Sequence, residues 1–173
     1  MAFTPRPHSR GLYIDPIIEA MRVAIDEKHV EALVWVIEEH NVNLVIAPHV
    51  EPTARSRRKR VQFPYCAVIG ENSELDKSDQ REYTGLVHNI TIEIGDTGVQ
   101  PDLLDQVMKL RVHAISAVLE RITEAELMGG TDWAWGIPDL SIIAQNYQMS
   151  SETVEGVYVA LAEITVEVGV NQQ

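Results

Sequence analysis

The sequence predicts an α+β fold, an antiparallel sheet with two amphipathic helices packed on one face and an extended N-terminal arm. Three observations lead there. Two stretches, about residues 16–39 and 103–122, repeat apolar residues at intervals of three and four, the helical period. Three others, about 61–70, 83–95 and 153–169, read as strands, the last two by a period of two. The elements follow in the order arm, helix, strand, strand, helix, strand with loops between them, so both helices can cover one sheet. The chain has 173 residues, 45% hydrophobic and 23% charged, which suits a single domain over residues 14–173 that buries its core without staples.

Residues 1–13 contain Pro5, Pro7 and Gly11 and two aromatic residues, Phe3 and Tyr13, without periodicity, and read as an extended arm. The first helix opens at Asp15-Pro16, an N-cap residue followed by a proline whose missing N–H costs nothing there. Its stripe is Ile17, Ile18, Met21, Ile25, Val30, Leu33, Val34 and Ile37, with a possible break at Asp26-Glu27-Lys28. Loop formers follow, Asn41, Asn43, Pro48 and Pro52. Val61–Gly70 reads as a strand with Pro64 near its start, where a missing donor is tolerated. Glu71–Glu82, rich in acids and almost free of apolar residues, reads as a loop. In the next strand Leu86, Ile90, Ile92 and Ile94 share one side and Val87, Asn89, Thr91 and Glu93 the other. Asp96–Asp102 is turn chemistry, and Leu104, Val107, Met108, Ile115, Val118, Leu119 and Ile122 mark the second helix, ending before Gly129-Gly130. Residues 131–152 leave helix or strand open for Leu140–Tyr147. In the closing strand Tyr158, Ala160, Ala162, Ile164, Val166 and Val168 alternate with Val159, Leu161, Glu163, Thr165 and Glu167.

Charge is distributed unevenly. The formal net charge is −12, from 14 Lys and Arg against 26 Asp and Glu. Five of those basic residues, Arg55, Arg57, Arg58, Lys59 and Arg60, fall in one short run. Setting them aside leaves nine basic residues (14 less five) against 26 acidic ones, a balance of −17. A body that acidic repels phosphate at long range, so the run reads as a solvated or partner-facing loop, with phosphate contact as the alternative. No apolar run spans a bilayer and the N-terminus lacks a signal-peptide pattern, so we expect no membrane and assembly in the cytoplasm.

Catalytic and metal chemistry find little support. The six histidines, His8, His29, His40, His49, His88 and His113, are scattered, with no HExxH and no i, i+4 pair. Cys66 is the single cysteine and sits among apolar strand residues, the setting of a small buried hydrophobe rather than of an activated thiolate. There is no GxSxG, P-loop or GxGxxG, and Glu71–Glu82 lacks the alternating ligands and central glycine of a calcium loop. We therefore expect no enzyme, no cofactor and no metal. Trp133 and Trp135, in a glycine-flanked loop, are local core or interface anchors, and Phe3 and Tyr13 are candidates for packing on a neighbouring subunit.

Three pieces taken together, "VQFPYCAVIGENSELDKSDQREYTG", "VHNITIEIGDTGVQPDLLDQVMKLRVHAISAVL" and "VYVALAEITVEVG", resemble the tail terminator (tail completion) proteins of long-tailed bacteriophages, of the lambda-like kind. The resemblance covers about residues 14–122 and 153–169. It implies a non-enzymatic virion subunit of the tail and neck that forms a hexameric ring on the head-proximal end of the tail tube. Such a ring stops tube polymerisation and offers a docking surface to the head-tail connector or stopper protein, while DNA passes through its lumen without specific binding. The arm and the segment 123–152 depart from the small members of that family. Two alternatives stay open on the residues alone: another neck protein, or a nucleic-acid-binding module using residues 55–60.

Overall fold

In the computed structural model, residues 14–47, 49–51, 62–75, 85–122, 138–150, 153 and 155–171 are described. They form two helices and five strands in the order α1 (Ile14–His40), β1 (Val50–Glu51), β2 (Tyr65–Leu75), β3 (Gly85–Gly98), α2 (Pro101–Leu119), β4 (Pro138–Met149) and β5 (Tyr158–Asn171). The fold is α+β, with strand order β1-β2-β3-β5-β4. Four strands are antiparallel to their neighbours, and β1 adds a two-residue parallel pairing to β2, which makes the sheet mixed.

Both helices lie over one face of this sheet. Ile17, Met21 and Ile25 of α1 and Leu104, Met108, Val112 and Ile115 of α2 close on Cys66, Val68, Ile90, Ile92, Ile94, Ala162, Ile164 and Val166 in one core cluster. Each large side chain fully removed from water there contributes about 1.5–3 kcal/mol before the entropy of ordering it. Helix α1 runs unbroken through Asp26–Lys28. His29 is buried just after, its Nδ1 2.8 Å from the Asp26 carbonyl oxygen and its Nε2 3.2 Å from that of Ala47, which fastens the 42–47 segment against the helix. The helix stops at Asn41, whose φ of 50° is the left-handed conformation of a C′ residue, and Val42 N donates to Ile37 O at 3.2 Å, closing a Schellman turn. Helix α2 starts with Pro101 in its first turn.

Several boundaries differ from the sequence-based expectation. The segment Glu71–Leu75 is strand rather than loop: β2 passes a bulge between Gly70 and Asn72 and keeps pairing with β3 to Leu86. The open stretch 138–149 is strand β4, paired along β5, with its own irregularity between Ile142 and Ala144. Val30 and Val34, counted with the buried stripe of α1, are 42% and 41% exposed, so α1 carries apolar residues on its outer ridge as well. Helix α2 ends at Leu119, before the residues leading to Gly129.

Candidate functional site

The residues singled out by composition fall outside the described residues: Arg55, Arg57, Arg58, Lys59 and Arg60, then Phe3, Tyr13, Trp133 and Trp135, and also His8. What the structure fixes is where the basic segment is anchored. It leaves from β1 and returns into β2, at the β1 edge of the sheet, while β4 forms the other edge.

Among the described residues no group of three or more His, Cys, Asp or Glu is placed to hold a metal ion, and no helix is long and apolar enough to cross a membrane. Cys66 is buried, paired across to Ile94, and burial pushes its thiol up to about 12, with Asp26 acting in the same direction. It is a core side chain. His29 and His88 are buried as well, whereas His40 and His113 come together on the outer helical surface: their rings are 6.4 Å apart edge to face, and His113 lies 5.2 Å from Trp35. Trp35, the tryptophan to which sequence patterning gave no role, is 41% exposed and walls a groove of about 370 Å3 between the helices, with Lys28, Glu31, Ala32, Val118 and Arg121. Its position within the helical period concealed it.

The face of the sheet opposite the helices has two different halves. On β2 and β3, Tyr65, Ala67, Ile69, Thr91 and Glu93 are buried. The Tyr65 ring lies over Gly95, its partner across the ladder, where a Cβ would come within 2.6 Å of Cζ, and its hydroxyl donates to Glu93 Oε1 at 2.6 Å. On β5 and β4 the face becomes polar and open. Glu163, Thr165 and Glu167 of β5 are partly exposed, beside exposed Ser141, Asn146 and Gln148 of β4. Glu163 stands directly across from Glu93, a like-charge pair that costs the sheet stability. The surface carries two carboxylates and no Lys or Arg from β4 or β5.

One buried ion pair ties the helical layer to the sheet. Arg111 of α2 donates from Nε to Asp96 Oδ2 at 2.8 Å and from Nη2 to the Val45 carbonyl at 2.7 Å, while Thr97 N donates to Asp96 Oδ1 at 2.8 Å. On the surface, Arg22 bridges Glu19 and reaches the Val50 carbonyl at 3.1 Å; hydrogen bonding to Arg22 holds the Glu19 carboxyl below the usual range, and the same bond raises Arg22. Tyr147 of β4 packs beside Asp105, Met108 and Met149, where burial raises its phenol. These groups hold elements together, and none is aligned as nucleophile and base.

No family model and no curated protein matches the chain. It is similar to a chain in a solved structure of the virion of a native gene transfer agent (GTA) particle, with a TM-score of 0.43 at 15% identity, over 79% of this chain and 91% of that one.

Proposed function

We propose that the chain is a structural, non-enzymatic virion protein of the tail-terminator kind, which assembles as a ring, most simply a hexamer, on the head-proximal end of a tail tube. There it stops tube growth and presents a surface to a head-tail connector or stopper protein. The sequence resemblance gives the reading its family. The observation that carries it is the acidic sheet face on β5 and β4, where Glu163 and Glu167 stand among Thr165, Ser141, Asn146 and Gln148. That face carries acid and no Lys or Arg. It suits the lining of a channel through which DNA moves without being gripped, because like charge repels the phosphates. A closed ring also requires each subunit to present two unlike faces, and a sheet ending in β1 on one side and β4 on the other supplies unlike edges.

The test is native mass spectrometry of the purified protein, alone and with tail tube protein, together with electron microscopy of tube lengths. The expected result is a closed ring, formed alone or on the tube, and tubes of bounded length. A strict monomer in both samples with unchanged tube lengths overturns the proposal.

A further inference from the structure

We propose that the outer edge of β4 takes the N-terminal arm, residues 1–13, of a second copy of this chain as an added strand. The inference rests on the ring reading in supplying a neighbour, and it names the surface through which neighbours join.

Strand β4 is a terminal strand of the sheet, paired on one side to β5 over Pro138–Met149 and on the other side to no strand among the described residues. Exposed strand edges are normally guarded by shortness, by charge, by internal proline or by a bulge. At 12 residues β4 is long, it contains no Lys or Arg, its proline is its first residue, and its guards are Asp139 at that same end and the irregularity at Ile143. Its apolar side chains are also uncovered, with Ile143 50%, Tyr147 42% and Met149 36% exposed. An edge whose backbone donors and acceptors meet no strand among the described residues, beside exposed apolar side chains, is the surface that β-augmentation uses, main-chain bonds supplying affinity and alternate side chains the selectivity.

The arm has the chemistry of such a strand. In an extended chain successive residues direct their N–H and C=O groups to opposite edges, so Pro5 and Pro7, two apart, place both missing donors on the same edge. The other edge keeps the N–H groups of Thr4, Arg6, His8 and Arg10 complete. A chain with one competent edge can extend a sheet by one strand and then terminate it. Charge agrees: the arm carries Arg6 and Arg10 and no acid, whereas β4 and β5 carry Asp139, Glu163 and Glu167 and no Lys or Arg. Arg6 and Arg10 are four residues apart, the separation of Glu163 and Glu167.

The donor is a second copy because of where the arm is rooted. Ile14 and Ile18 of α1 lie against Gly70 of β2, where a Cβ would sit 3.1 Å from Ile14 Cδ1. Strands β3, β5 and β4 stand between β2 and a strand added beyond β4, so four strand spacings, about 19 Å, separate the root of the arm from that position on its own sheet, more than the roughly 14 Å that the four residue steps from Arg10 to Ile14 can span.

Cross-linking in the full-length chain tests this. Thr4→Cys and Asn146→Cys variants are made separately, mixed in equal amounts, and treated with a short bismaleimide under the conditions of ring assembly; buried Cys66 leaves the unsubstituted protein as an unreactive control. The expected product is a covalent heterodimer, lost when Ile143→Lys is added to the Asn146→Cys copy. Absence of the heterodimer overturns the inference. So does an intramolecular cross-link in a Thr4→Cys, Asn146→Cys double variant prepared alongside, in place of the heterodimer, which would put the arm on its own sheet. A homodimer of the Asn146→Cys copy in place of the heterodimer overturns it too, in favour of two β4 edges pairing together. Native mass spectra of the same samples separate the two readings. A ring without the heterodimer sinks this inference and leaves the proposed function standing, whereas a strict monomer that leaves tube length unchanged sinks the proposed function.

Discussion

Replacing Arg111 by Met tests how the helical layer is fixed to the sheet. The substitution keeps much of the apolar stem and deletes the guanidinium, which removes the 2.8 Å bond to Asp96 and the 2.7 Å bond to the Val45 carbonyl. Asp96, only 9% exposed, then keeps the Thr97 N–H as a donor but has lost its cation. Leaving a buried charge without its partner costs about 3–5 kcal/mol, a large part of the roughly 5–15 kcal/mol that holds a domain of this size folded. Asp96→Asn in the same chain removes the stranded charge and retains an acceptor for Thr97 N–H, so the double variant should recover most of that loss. Urea unfolding followed by circular dichroism measures all four corners of the cycle, with unchanged slopes as the check that one transition is being compared. The reasoning is refuted if Arg111→Met costs less than about 1 kcal/mol, or if the double variant is as unstable as the two single losses added.

Four further outcomes are expected. Gly95→Ala places a methyl within 2.6 Å of Tyr65 Cζ and 2.9 Å of Phe63 Cε1, so the ring must move and the bond to Glu93 is weakened; urea unfolding should report a loss of about 1–3 kcal/mol. Glu163→Gln relieves the like-charge pair with Glu93 and should raise stability by about 0.2–1 kcal/mol, and a fall would contradict the cross-strand pairing. Cys66, with its thiol pushed up from 9.0 to about 12, keeps its proton in the fold when the unfolded chain has lost it. Its contribution is therefore neutral below about pH 9 and turns against the fold between pH 9 and 12 by up to about 1.4 kcal/mol per pH unit; Cys66→Ala should flatten that part of the stability profile. Finally, replacing residues 55–60 by Gly and Ser should leave nucleic-acid binding unchanged, because the intact protein should bind weakly or not at all near physiological salt. Tight binding that falls with salt at about −0.9 per phosphate neutralised would restore the nucleic-acid reading.

The elements that sequence patterning located best are those with one strong period and one buried face. In β5 the buried residues Ala160, Ala162, Ile164, Val166 and Val168 follow a strict period of two, and that strand was legible within a few residues. Strand β4 was not, because the irregularity at Ile143 shifts its phase. Leu140 and Ile142 pair with Val168 and Val166 before it, and Gln145, Tyr147 and Met149 pair with Ile164, Ala162 and Ala160 after it, so neither half is long enough to register as alternation. Glu71–Leu75 was hidden by composition: its polar residues belong to a strand that continues past a bulge. In α1 the period was correct and its meaning incomplete, since Val23, Val30 and Val34 sit on the exposed ridge, where periodicity cannot distinguish a core from a surface that meets something else. The candidate site was less legible than the fold. Charge and aromatic content mark residues 55–60, Trp133 and Trp135, whereas the acidic face and the β4 edge depend on cross-strand register, which no local pattern encodes.

The strand order has a consequence for how subunits are made. The last described element, β5, occupies the interior of the sheet between β3 and β4, and its partner β3 lies more than 70 positions earlier along most of their pairing, as Ile92 and Ile164 show. Such pairings are slow to close, because a long stretch of chain must be ordered before the contact rewards it. On the ribosome, β3 waits for its neighbour until residues 158–171 have emerged, and a product cut short before them lacks the strand that joins β3 to β4. A chain truncated there leaves the helical layer over an incomplete sheet, so the fold is all-or-none with respect to its last strand.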